Sequence, residues 1–217
     1  MPKKTTLDPG PEQHTEKLLL ERLQNSTTGD DYFRWMLFVV GYYRSFKKNA
    51  AAVALLENYL AKKDSDDEKK AHCYLALGQI ATDEQRLDEA LSHFHTALRL
   101  EPSKKRVTYV LQNNLAYCLN RLGRFGEGEK HCRIAIGING KRASAYRNLG
   151  VSLQGQGRKA DAAWAYVEAV KADPTDERAR ALLEKFVAEH PAVVMKCPWI
   201  SEGLHPEIKN DAEPVLV

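Results

Sequence analysis

An all-helical, repetitive chain is predicted by three features of the sequence. Ala, Leu and Glu, which favour helix, are abundant. Apolar and small residues recur three and four apart, the mark of a buried helix face. The same pattern also returns in phase, at intervals of 38 and 34 residues. Ala143 to Pro174 shows it most fully. Tyr146, Leu149, Gly150 and Leu153 share one side of a first helix, Gly157 breaks it, and Ala162, Tyr166 and Ala169 share one side of a second. A helix pair of this length cannot bury its own apolar face, so it needs copies of itself.

Two copies precede it. Leu115, Ala116, Gly123, Gly128, Cys132 and Ala135 keep the frame in one, and Tyr74, Leu77, Gly78, Ala90, Phe94, Ala97 and Pro102 keep it in the other. The pattern resembles the tetratricopeptide repeat: a large residue, leucine and a small residue, then a small residue, an aromatic, an alanine and a closing proline. The match is specific over 71–104 and 143–176. It is worn over 109–142, where Gly128, Cys132 and Gly140 depart from the commonest residues. The resemblance implies an all-α solenoid of antiparallel helix pairs in a right-handed superhelix. It also implies a concave face lined by the first helix of each pair. Four extra residues, about Lys105 to Thr108, fall between the first two clear repeats and lengthen a helix or linker.

In chain order, 1–13 is polar and rich in proline and is expected to be disordered. The helical solenoid is expected over 14–189. His14 to Gln24 reads as a short amphipathic helix with Leu19, Leu20 and Leu23 as its stripe. It either covers an edge of the first repeat or serves as a dimer contact or partner-binding arm. Asn25 to Asp30 is a linker, with Asp30 or Asp31 as a cap for the next helix. Residues 31–63 read as a degenerate repeat whose phase is not evident. Tyr32 to Phe46 is its first helix, with Gly41 as the close-contact position. Ala50 to Leu60 is its second, with Ala52, Leu55, Leu56, Tyr59 and Leu60 facing in. Tyr32, Trp35, Phe38 and Tyr42 are either core or an exposed end patch. After the three repeats, Thr175 opens a capping helix over 177–189, with Asp176 as cap. Pro191 stops it. An irregular tail over 190–217 has Trp199 and Ile200 packing back or serving as a docking motif.

The net charge of +3 neither requires nor excludes a nucleic-acid partner, and none is predicted. Lys and Arg alternate with Asp and Glu along the helices, as on a solvated face. No apolar run approaches the roughly 20 residues that span a membrane. No secretory signal is apparent, so a cytoplasmic protein is expected. Cys73, Cys118, Cys132 and Cys197 form no CxxC pair and read as free thiols.

Chemical motifs are lacking. His93 and His95 diverge on a helix, and His131 and Cys132 are adjacent. Asp64, Asp66 and Asp67 lack the rest of a calcium loop, and GRFGEG at 123–128 lacks the Lys-Ser/Thr end of a phosphate loop. No enzyme activity, metal or cofactor is predicted.

In the family the second, fifth, sixth, ninth and twelfth or thirteenth places of each first helix face the groove. These are His72, Leu75, Ala76 and Gln79, then Val110, Asn113, Asn114, Tyr117, Asn120 and Arg121, then Ser144, Arg147, Asn148, Val151 and Gln154. Some members grip a partner's terminal carboxylate with Lys and Asn side chains. Here only Asn114 stands in such a place, so that clamp is not predicted. The expected binding residues are Asn113, Asn114, Tyr117, Arg121, Arg147 and Asn148. The expected function is a scaffold or adaptor that holds a peptide or partner helix in the groove, as monomer or homodimer. The alternative is a secretion-type chaperone that holds apolar segments of a client.

Overall fold

The computed structural model describes residues 11–62, 66–197 and 199–200. Among them the chain forms eleven helices and no strand. α1 (Pro11–Gln24) precedes four antiparallel pairs. These are α2 (Gly29–Ser45) with α3 (Asn49–Leu60), α4 (Asp67–Asp83) with α5 (Leu87–Arg99), α6 (Lys105–Arg121) with α7 (Phe125–Ile138), and α8 (Ala143–Gly155) with α9 (Lys159–Ala172). α10 (Glu177–Glu189) and α11 (Pro191–Lys196) follow. Each pair also packs on the next, so the chain is a stack of helix pairs.

One turn geometry, used four times, sets the repeat. Lys47, Gln85, Gly123 and Gly157 have φ of 56°, 62°, 74° and 77°. The next residue's N–H then reaches back to the carbonyl five residues earlier: Lys48 to Tyr43 (2.7 Å), Arg86 to Ala81 (2.8 Å), Arg124 to Leu119 and Arg158 to Leu153 (2.9 Å each). This Schellman closure satisfies carbonyls that the helix end would leave bare. Two of the four sites use glycine, which takes positive φ freely; Lys47 and Gln85 take it at a cost.

The turn also settles the phase of α2 and α3. Lys47 stands 38 residues before Gln85, so Val40 is the counterpart of Gly78. The expectation that Gly41 makes the close contact is wrong by one residue. Gly41 is exposed and a Cβ there would meet nothing within 4 Å, whereas Val40 is buried. Ala52, Leu56 and Tyr59 are buried as expected.

In this frame each pair closes on two residues 16 apart: Val40 and Leu56, Gly78 and Phe94, Ala116 and Cys132, Gly150 and Tyr166. All eight are buried. A glycine faces each aromatic ring, and a larger first residue faces Leu or Cys. The volume is shared differently but filled each time, as close packing demands. Gly128 also has a reason. A Cβ there would lie 2.4 Å from Oδ1 of Asn120, whose amide occupies the space.

The first three pairs open with an additional helical turn. α2, α4 and α6 have 17 residues each, and α8 has 13. The extra residues near Lys105 thus lengthen α6. Thr28 caps α2, accepting from the Asp31 N–H at 3.1 Å, in place of the expected Asp30 or Asp31. Asp66 caps α4, and Asp176 caps α10 as expected.

The ends are covered from within the chain. α1 starts at Pro11, before the expected His14; residues 1–10 lie outside the described residues. A proline at the first helical position loses no intrahelical bond. Leu23 is buried against α2, with Leu19 and Leu20 beside it. Tyr42 donates to the Glu12 carbonyl (2.7 Å), and Lys48 bonds Glu16. Tyr32 and Trp35 join this core, while Phe38 is 56% exposed. At the other end α11 occupies part of the expected irregular tail. Ile200 is fully buried and Trp199 packs against the same core. Residues 63–65 and 201–217, with Asp64 and the apolar Val215 to Val217, lie outside the described residues.

Candidate functional site

The first helices place residues of their sixth, ninth, twelfth and thirteenth places along one side of the stack. Gln79, Thr82 and Asp83 of α4 meet Asn114 and Tyr117 of α6 there, in an open groove of about 470 Å³. Arg44 of α2 borders it at one end and Arg178 of α10 at another. Arg44 donates to Asp83 through Nε (3.2 Å) and Nη2 (2.7 Å), and to Gln79 through Nη1 (2.7 Å). Arg121 donates to the Tyr117 hydroxyl (3.0 Å) and to Gln85 (2.8 Å), so the ring of Tyr117 is held from its tip. Asn114 and Arg178 have side chains with no hydrogen-bond or ion-pair partner among the described residues. They are the groove's open donors and, for Asn114, its open acceptor.

The six expected residues therefore divide. Asn114, Tyr117 and Arg121 stand at the groove. Asn148 instead donates to Asn113 at its side-chain oxygen (3.0 Å) and its carbonyl (3.3 Å). Arg147 lies 3.1 Å from the carboxylate of Asp176, linking α8 to the cap of α10. These three bind helix to helix. Asn120, expected at the groove wall, is buried. It donates to the Asn148 carbonyl (2.8 Å) and accepts from Ser152 (2.7 Å). Gln154 accepts from Tyr166 (2.8 Å).

Arg44, Gln85 and Arg178 were not among the expected residues. The signal for two of them was present. With Phe33 as place one of α2, Arg44 is place twelve. With Glu177 as place one of α10, Arg178 is place two.

Reactive chemistry is muted by burial. Burial pushes the Cys73 and Cys132 thiols up to about 12 and raises that of Cys118. His95 and His131 rings lie 6.2 Å apart, and His131 Nδ1 is 2.6 Å from Gln112 Oε1. Among the described residues no group of three His, Cys, Asp or Glu is placed to hold a metal ion.

Residues 71–104 match the family model described as tetratricopeptide repeat. The four turns and the 16-residue pairings carry the same unit through 33–176. Residues 71–104 are a tetratricopeptide repeat, and the chain is a solenoid of that type. Among curated relatives it is 30% identical over 106 residues to the Hsp70-Hsp90 organizing protein of Triticum aestivum, covering 49% of this chain and 18% of that one. The curated relatives are far longer than the matched portions, which span 14%, 18% and 11% of their lengths. Among solved structures, BtubC (BKLC) of P. vanneervenii superposes with a TM-score of 0.68 at 15% identity, over 95% of this chain and 98% of that one. The first tetratricopeptide repeat domain of Spaghetti (RPAP3), bound to the HSP90 peptide SRMEEVD, gives 0.51 at 22%, over 56% and 94%. These likenesses show a tetratricopeptide solenoid; the groove's chemistry is this chain's own.

Proposed function

We propose that the protein is a binding module, not an enzyme, and that its groove holds an extended segment of a protein partner. The observation that carries this reading is the meeting of Asn114, Tyr117 and Arg178 in one groove, with the first and last unpartnered. An Asn amide both donates and accepts, as a peptide backbone does. Tyr117 adds apolar area already fixed by Arg121, so little freedom is lost on binding. The peptide named in the Spaghetti complex supports the class of ligand. The lining differs from a carboxylate clamp, so the partner contacts are expected along its backbone. The polar lining favours this scaffold over a holder of apolar client segments. Buried free thiols suit the reducing cytoplasm, which the proposal adopts.

The test is selection from a random-peptide library, followed by titration of the selected peptides. Tyr117→Ala and the double variant Asn114→Ala with Arg178→Ala should each weaken binding about tenfold, a loss of roughly 1.4 kcal/mol. Glu168→Ala, an ion pair with Lys171 outside the groove, should not. Selected peptides that bind all these variants like the parent would refute the groove.

A further inference from the structure

The expected alternation of charge fails over one part of the chain. Residues 102–160 contain twelve Lys and Arg and two acids, Glu127 and Glu129, although the whole chain is only +3. Four of the twelve are locally spent. Arg124 pairs with Glu127, Arg133 with Glu129, Arg158 with Glu129 and Asp161, and Arg147 with Asp176. The other eight make no ion pair among the described residues, Lys105, Arg106, Lys141 and Arg142 among them.

Three of these four surround one pocket. It has a volume of about 160 Å³ and is lined by Lys105, Arg106 and Tyr109 of α6, by Ile138 at the end of α7 and Asn139 after it, and by Arg142 before α8. Its origin is the step between a long and a short first helix. The additional turn of α6 carries Lys105 and Arg106, and α8 has no such turn. The floor is fixed. Tyr109 is buried, its hydroxyl is 2.8 Å from Ser144 Oγ, and Arg142 lies over its ring at 5.3 Å. Neither α6 nor α8 has an acid in its first turn or a side-chain cap.

We propose that this pocket receives a phosphoryl group carried by a serine or threonine of a protein partner. The space suits one compact anionic group and not a length of peptide. Three cations around it exceed what a single carboxylate would neutralise, whereas a phosphomonoester carries nearly two negative charges and three acceptor oxygens. Two of the three are arginines, whose planar donors match phosphate oxygens in pairs. The pocket is lined by none of the groove's residues, so this inference does not depend on the groove's function.

The experiment is an NMR titration of the whole protein, following the backbone amides of Arg106, Val107 and Ala143. The probes are inorganic phosphate and acetyl-Ala-Ser-Ala-amide with Ser plain, phosphorylated or replaced by Asp. Phosphate and the phosphoserine peptide should move these signals, and the other two peptides should bind at least tenfold more weakly. Arg106→Ala and Arg142→Ala should each weaken phosphopeptide binding at least fivefold, and Arg142→Glu should abolish it. Lys159→Ala and the groove variant Tyr117→Ala should leave it unchanged. All four sites except Tyr117 are exposed, and circular dichroism checks that each variant is folded. Equal binding of the Asp and phosphoserine peptides overturns the phosphoryl assignment. Binding of inorganic phosphate without the phosphopeptide overturns a protein partner. So does Arg142-dependent capture by phosphatidylglycerol vesicles when the phosphopeptide is inert.

Discussion

A Cβ built on Gly150 would lie 2.3 Å from Cε1 of Tyr166. The ring lies against the α8 backbone, and only glycine leaves room for it. Gly150→Ala would gain helix propensity of about 1 kcal/mol but force the ring aside at about 1–3 kcal/mol. The net expectation is a loss of up to roughly 2 kcal/mol by urea unfolding. Tyr166→Leu added to it would imitate Val40 with Leu56. The double variant should then lose less than the two single losses together. Simple additivity would mean that the two residues do not share this space.

Asn120 and Asn114 lie on the same helix but have opposite duties. Asn120→Ala would remove the buried amide that donates to the Asn148 carbonyl and accepts from Ser152, leaving those two only the 3.0 Å bond between them. It should cost about 1–3 kcal/mol of stability. Asn114→Ala breaks no bond and should cost under about 0.5 kcal/mol. Equal costs in chemical denaturation would contradict this division.

α1 is held by Leu23, Tyr42 and Lys48, all within one chain. Removing residues 1–24 should lower stability by at least the roughly 1.5–3 kcal/mol of one buried leucine. The mass in light scattering should stay that of the parent. A dimer that falls to monomer on truncation would instead assign the helix to an interface.

Acid should weaken the fold in two stages. Burial holds the His131 and His72 imidazoles below the ordinary 6.5, helped by His95 and Lys104 respectively and opposed by nearby carboxylates. Below pH 6.5 the unfolded chain therefore binds more protons, and stability falls with pH until the folded imidazoles titrate. Glu68 and Glu129, whose carboxyls are lowered by hydrogen bonds against the pull of burial, add their own loss below the ordinary 4.5. His131→Gln should flatten the upper stage between about pH 7 and 5 without affecting the lower one. An unchanged profile would show that His131 titrates normally.

Much of this stack could be read from residue types because each pair repeats one steric solution. Gly78 with Phe94 and Gly150 with Tyr166 announce it. Val40 with Leu56 does not, since aliphatic pairs occur on any amphipathic helix. Turn chemistry hid the first repeat further, because Lys47 takes a conformation usually signalled by glycine. The groove was legible only in part for another reason. The place of Asn148 on its helix predicts direction, not whether Asn113 across the way will claim its amide. Arg178 was overlooked because a capping helix reads as packing, although it supplies a first-helix surface like the others.

The three buried thiols make this array its own stopwatch. Reaction with an alkylating reagent needs an exposed thiolate, and burial denies both to Cys73, Cys118 and Cys132. Cys197, near the far end, is only half-buried. In a stack where each unit leans only on its neighbours, opening begins locally and spreads. The order in which these thiols become labelled under native conditions would report whether the second pair, the third, or the terminal cover lets go first, with no probe added to the chain.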